Sequence, residues 1–241
     1  MAPFQPVPAI DIRGGRCVRL VQGDYARERV FAEDPVEMAC QWVDQGAPRL
    51  HVVDLDGARD GARPNRATIQ RLLAQVSIPV QVGGGVRTLQ TAAQLVADGA
   101  DRVVIGTAAA EDPHALRSWV EALGPERLVV GVDARNGLVA TRGWTETTQL
   151  EAVQFCQTLA DQGVVRVLYT DISRDGTLEG PNLIGLRRLV EGEPRLKVLA
   201  SGGVSSLNDL RALAEAGAEG AIIGTALYDG RLTLDAVLAA C

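Results

Sequence analysis

The sequence is poor in the residues that staple small secreted folds, hold metals or grip nucleic acid. Its four cysteines, Cys17, Cys40, Cys156 and Cys241, are widely scattered, with no Cys-x-x-Cys pair and no histidine at ligand spacing. That spacing fits structural thiols in a reducing compartment and no metal site. Basic charge is not in excess: the net charge is −6 at pH 7, which argues against a nucleic-acid scaffold. The N-terminus has no basic stretch followed by an apolar one, and no run reaches the roughly 18 apolar residues of a membrane helix. The expected location is therefore the cytoplasm, with no membrane partner. Aromatics make up only 4% of residues, while 46% are hydrophobic and chiefly Val, Leu, Ile and Ala, the composition of buried parallel strands. No Pro/Ser-rich linker or low-complexity segment divides the 241 residues, so one α/β barrel domain fits better than two domains.

What is present is a repeat. Gly84-Gly85-Val86 and Gly202-Gly203-Val204 lie 118 residues apart, and at that offset residues 99–108 (GADRVVIGTA) fall on residues 217–226 (GAEGAIIGTA) with six of ten identical. Each copy reads strand, Gly-Gly, helix, short strand, Gly-Thr. A glycine pair directly after a strand lets backbone N–H groups approach an anion with no Cβ in the way. Gly106-Thr107 and Gly224-Thr225 add further donors and a hydroxyl to each copy. A single copy is equally well explained as a tight strand-to-helix turn. Two copies at matched spacing favour two phosphate sites.

Strand and helix patterns alternate eight times along the chain, which predicts a closed (β/α)8 barrel made of two half-barrels, about 1–123 and 124–241. Residues 7–12 and 17–21 are read as a hairpin pair, 22–34 as a long polar loop, and 56–63 as another loop. Residues 138–141 form the hairpin that matches 17–21, and a helix is expected over about 149–161. Asp11 closes the first strand and Asp133 the fifth. In an eight-strand barrel these two strands face each other across the mouth, as do the two glycine-lined sites. The layout implies a small-molecule substrate with a phosphate at each end and two carboxylates over its middle.

Paired carboxylates without metal-ligand spacing suit general acid–base work, one taking a proton while the other gives one. The acid needs a raised pKa, through desolvation or neighbouring negative charge. Taken singly, either aspartate would read as a helix cap or ion-pair partner. Arg19 follows the first strand, and Arg142 with Trp144 follows the matching hairpin. They read as a solvated arginine pair and a core tryptophan, or as groups folding over the mouth to pair with anions and stack on a flat ring. Thr170 and Asp175 flank the exit of the sixth strand and are placed to orient substrate hydroxyls or supply an acid. His51, near the start of its strand, reads as structural or as a substrate contact, and His114 as a surface residue.

The motifs Pro8–Ile12 (PAIDI), VRLVQGDY at 18–25, HVVDLDGA at 51–58, VGGGVR at 82–87, GVDARNG at 131–137, RGW at 142–144 and YTDISRDGTLEGPN at 169–182 together resemble the family of histidine-biosynthesis isomerases that act on phosphoribosylformimino-aminoimidazole carboxamide ribonucleotide. The resemblance runs from end to end. It implies an Amadori rearrangement of an N-linked aminoaldose to an aminoketose, without metal or cofactor. By resemblance, Asp133 is the acid that opens the ribose ring and Asp11 the base that removes the C2′ proton. Thr170 and Asp175 support this chemistry, with Asp175 the alternative acid. Arg19, Arg142 and Trp144 grip the substrate. A monomer is the expectation, with self-association left open.

Rival readings differ at named residues. The cyclase of the same pathway usually begins Cys-Leu-Asp with a lysine after it, where this chain has Ala9-Ile10-Asp11 and Arg19. A dedicated phosphoribosylanthranilate isomerase resembles a barrel with a cysteine base in place of Asp11. A dual-substrate isomerase turns on the loop around Arg142 and Trp144. A barrel that only binds phosphate would have no use for both carboxylates.

Overall fold

The computed structural model describes residues 3–241. Eight parallel strands close on themselves in chain order: β1 (Gln5–Arg13), β4 (Leu50–Asp54), β5 (Val80–Gly83), β6 (Arg102–Ile105), β7 (Leu128–Arg135), β10 (Arg166–Asp171), β11 (Lys197–Ser201) and β12 (Gly220–Ile223). Each pairs with the next, and β12 pairs with β1 through Val7↔Ile222, which makes the fold a (β/α)8 barrel. The remaining strands, β2 (Arg16–Val21), β3 (Asp24–Ala32), β8 (Leu138–Thr141) and β9 (Glu146–Glu151), stand as antiparallel extensions of β1 and β7 at the mouth.

Alternation along each strand sorts the side chains into two cores. One set, including Val7, Val104, Val129, Leu168, Leu199 and Ile222, fills the barrel interior. The other set faces the surrounding helices, with Ile10, Val52, Val103 and Val130 buried against Leu72, Leu95 and Leu159. The N-terminal end of the barrel is closed by charge: Arg166 is 2% exposed and is held by Glu219 at 2.7 and 2.9 Å and by Glu126 at 2.9 Å, while Arg49 is paired with Asp101. A buried guanidinium is tolerated there because carboxylates neutralise it and take up its donors.

Two expected loops carry regular structure, and one expected helix start lies in a strand. Residues 22–34 are mostly β3, which pairs with β2 across two register shifts. Its sequence, DYARERVFA, alternates too little to show a strand because both of its faces are largely exposed. Residues 55–60 form a short helix in place of the expected loop, started by Asp54, whose carboxylate accepts the Gly57 N–H at 2.9 Å. The helix expected from about 149 begins at Ala152, and the preceding segment is β9, another exposed strand.

The two halves of the barrel share one loop-holding device. The Asp54 carboxylate takes the side-chain amide of Asn65 at 2.7 Å, and that of Asp171 takes the amide of Asn182 at 2.6 Å. Each pair is 11 residues apart and ties a strand end to the start of a long helix further on, Arg66–Gln75 in one case and Leu183–Gly192 in the other.

Candidate active site

The carboxyl ends of the strands open into one cavity of about 220 Å³, lined among others by Asp11, His51, Asp133, Thr170 and Asp175. Parallel pairing sets Thr170 directly beside Asp133, and antiparallel pairing sets Asp11 opposite Val18. The β1–β2 hairpin therefore brings Arg19, one residue further along, back over the first strand. Its Nη1 donates to Asp11 Oδ2 at 2.8 Å. The same guanidinium lies against Gly224, where an added Cβ would come within 2.2 Å of Nη2. Arg19 thus spans from the candidate base to the second glycine site.

Burial dominates the titration of all three carboxylates. Asp11 is raised by burial and pulled back by Arg19. Asp133 is raised by burial and relieved by the Trp144 and Thr170 side chains that face it. Asp175 is pushed up to about 6 by burial and by the Asp11 and Asp133 charges, against the pull of Arg19. Three clustered carboxylates with one guanidinium in direct contact do not all ionise together. Of the three, Asp175 holds its proton up to about pH 6.

The glycine pairs sit where expected and have a steric reason to be glycine. Gly84 and Gly202 have φ of +92° and +94°, and Gly85 and Gly203 of +73° and +84°. A Cβ on Gly84 would fall 2.2 Å from the Asp54 carbonyl oxygen, and one on Gly203 would fall 2.3 Å from that of Gly180. Backbone of the preceding loop occupies the space a side chain would need. Gly84, Gly85, Gly106 and Thr107 line one side of the main cavity. Gly202, Gly203, Gly224 and Thr225 line a smaller recess reached by Arg19 and Asp175. The hydroxyls differ: Thr107 Oγ1 accepts the Arg142 N–H at 2.9 Å, whereas Thr225 Oγ1 is buried without a partner.

Two hairpin tips roof the mouth. A Cβ on Gly23, in the β2–β3 turn, would lie 2.5 Å from Cε3 of Trp144, which shows the indole stacked on that turn. Trp144 and Arg142 both have positive φ, +70° and +53°, a strained backbone for such side chains. The Arg142 guanidinium is turned away from the carboxylates, donating to Glu146 at 3.0 Å and Glu111 at 3.4 Å. Of the residues expected at the site it is the one whose charged group points outward.

His51 lines the cavity with only 6% of its surface exposed, and its Nδ1 contacts Gln81 Nε2 at 3.0 Å. Burial and the nearby Arg19 push it down to about 4, so it is neutral at physiological pH. His114 is exposed. Sequence reasoning missed Gln81, and also Tyr25, which reaches the cavity from β3 and donates to the Leu55 carbonyl at 2.8 Å. Reading β3 as a loop hid Tyr25, and Gln81 lies among apolar strand residues with no motif of its own. All four cysteines are free. Among the described residues no group of three or more His, Cys, Asp or Glu is arranged to hold a metal ion, and no helix is long and apolar enough to cross a membrane.

Architecture and ionisable chemistry coincide at the C-terminal mouth, where enzymes of the (β/α)8 class carry their active sites, and this chain falls in that class. Sequence comparison narrows the class to a family. Residues 6–233 match the profile described as histidine biosynthesis protein, and the chain belongs to that family. Its curated relatives include proteins named 1-(5-phosphoribosyl)-5-((5-phosphoribosylamino)methylideneamino)imidazole-4-carboxamide isomerase. The one from Dehalococcoides mccartyi is 51% identical over 95% of both chains. That from Roseiflexus sp. is 50% identical over 97% of this chain and 98% of the relative, and that from Gloeothece citriformis 51% identical over 98% and 93%.

Proposed function

We propose that the protein is the isomerase its relatives are named for, converting the N-linked aminoaldose of the bis-phosphoribosyl imidazole carboxamide to the corresponding aminoketose in histidine biosynthesis. The observation that carries the mechanism is the cluster of Asp11, Asp133 and Asp175 around Arg19, set between two glycine-rich strand ends. A substrate with two phosphoribosyl groups matches two such ends. One phosphate is received at Gly84, Gly85, Gly106 and Thr107, the other at Gly202, Gly203, Gly224 and Thr225. Residues 1–123 and 124–241 are read as the half-barrels that supply one phosphate site each. The free, buried Thr225 hydroxyl supports the second site, since a phosphate oxygen would give it a partner.

With the phosphates fixed, the sugar that reacts lies over the carboxylates. Asp175 is the better acid candidate, because it holds its proton to about pH 6 and makes no ion pair, whereas Asp133 is stabilised by Trp144 and Thr170. It gives that proton to the ribose ring oxygen, the C1′–O bond breaks, and the nitrogen lone pair forms a Schiff base. Asp11, ionised beside Arg19, removes the proton from C2′ to give an enolamine. The ionised Asp175 then takes the enol hydroxyl proton while the protonated Asp11 gives its proton to C1′, leaving the aminoketose and both carboxyl groups in the states in which they began. Asp133 and Thr170 hold the opened sugar, and Trp144, Arg19 and Arg142 close on the substrate. His51 contributes a substrate contact. Closure of the two hairpin tips would keep water from the enolamine. No cofactor, nucleic acid or protein partner enters this scheme, and a single chain carries every group it uses.

The test is turnover of the aminoaldose by wild type and Asp11→Asn side by side. The variant loses turnover and keeps affinity, because its carboxylate acts in the proton transfer and not in binding. An Asp11→Asn protein that binds normally and stays fully active rejects this mechanism.

A further inference from the structure

Beneath the carboxylates, Gln81 is an amide sealed in the barrel interior with no exposed surface. Its side chain touches one ring nitrogen of His51, the Nδ1, at 3.0 Å. In strand register Gln81 stands beside His51 on one side and Arg102 on the other. Arg102 is itself buried at the closed end of the barrel, near Arg49 and Arg166, which lower its pKa to about 10 after the larger effect of burial. The Gln81 oxygen makes no hydrogen bond, so the field of these guanidinium groups is what bears on the direction of the amide dipole. Its oxygen is favoured toward the positive end of the barrel and its NH2 toward His51.

We infer that Gln81 is a positioning residue that fixes His51 in the Nε2–H tautomer, so that the imidazole presents a hydrogen-bond donor to an acceptor oxygen on the sugar of the bound substrate. An amide NH2 can only donate, so the Nδ1 it touches must be bare. A neutral imidazole with a bare Nδ1 carries its proton on Nε2. Nδ1 is covered by Gln81 and His51 lines the cavity, so Nε2 is the nitrogen left for a ligand. Register places His51 opposite Ala9, one inward-facing position below Asp11, and therefore under the middle of the substrate and not at a phosphate. Burial and the Arg19 charge keep the ring neutral, and the Asp11 carboxylate above it is paired with that same Arg19. The sugar contact rests on the proposed isomerase reading. The tautomer does not.

The wild-type protein, labelled with 15N-histidine, decides the tautomer without any variant. Only two imidazoles contribute, and His114→Gln removes the exposed one. The expected spectrum at pH 7 shows His51 with Nε2 protonated and Nδ1 bare. A His51 with protonated Nδ1, or a doubly protonated ring, overturns the inference. Gln81→Glu supplies an acceptor of the same shape and is expected to reverse the tautomer, and Gln81→Met to release it. Each is expected to raise KM for the aminoaldose by about five- to tenfold, the loss of one hydrogen bond, with kcat within about twofold. Should Gln81→Glu fail to fold, Gln81→Met carries the kinetic test. Unchanged KM in a variant whose His51 tautomer has been altered refutes the role in binding. If the wild type does not turn the ribotide over at all, the isomerase reading falls, while the spectrum still decides whether Gln81 sets the tautomer.

Discussion

Replacing Asp175 by asparagine should make the protein more stable and less active, and the pH dependence of that stability is the informative part. The folded-state pKa of about 6 stands above the ordinary carboxyl value of about 3.9. The folded protein therefore holds this proton more tightly than the unfolded chain. Ionising Asp175 costs nothing below about pH 3.9, costs progressively more between about pH 3.9 and 6, and the full penalty applies above that. Two pKa units correspond to roughly 3 kcal/mol, and the opening of the cavity to solvent reduces this to about 1–3 kcal/mol. For a chain of this size, 1 kcal/mol shifts Tm by about 2–4 °C, so Asp175→Asn should melt roughly 2–12 °C higher than wild type at pH 8. At pH 4 the advantage should shrink to about 0.5 kcal/mol or less, because Asp175 then carries its proton in the folded state and is about half protonated in the unfolded chain. Thermal melts at the two pH values measure both arms. A variant no more stable at pH 8, or one whose advantage is the same at pH 4, refutes the placement of a strained, proton-holding carboxylate at the mouth. The gain should accompany a large loss of turnover, the usual relation between stability and a site built for chemistry.

Other outcomes follow from the same geometry. Thr225→Val should leave stability unchanged or slightly raised, since the buried hydroxyl has no partner to lose, yet should raise KM several-fold; melting and steady-state kinetics together read this. Gly224→Ala should push the Arg19 guanidinium off its seat, with a Cβ 2.2 Å from Nη2, and raise KM about tenfold or more while the fold persists. Gly203→Ala should instead destabilise by about 2 kcal/mol or more, visible in urea unfolding, because it combines a φ of +84° with a backbone clash at 2.3 Å.

The barrel was legible in the sequence because its eight inner strands are short, continuous apolar runs between turn signals, and because the Gly-Gly and Gly-Thr pairs recur at one offset. Asp11 and Asp133 could be placed from strand ends alone. Segments with neither apolar face nor repeat escaped: β3 and β9 are exposed on both sides, so their pairing comes from neighbours and not from their own pattern. The helix at 55–60 depends on the Asp54 carboxylate capping it at Gly57, a contact that a short polar stretch does not announce. Arg142 shows a different limit. Its position at the mouth follows from the hairpin, but its guanidinium direction is set by Glu111 and Glu146, one of them 31 residues away. Gln81 is invisible for the opposite reason, a polar residue whose partner lies on the neighbouring strand.

Turnover of the bis-phosphoribosyl aminoaldose by wild type and Asp11→Asn, with phosphoribosylanthranilate assayed beside it, tests the central claim most directly. The account predicts conversion of the aminoaldose by the wild type and a loss of about 10²–10⁴ in kcat in the variant at nearly unchanged KM. No conversion by wild type, or an Asp11→Asn protein as fast as wild type, would contradict it.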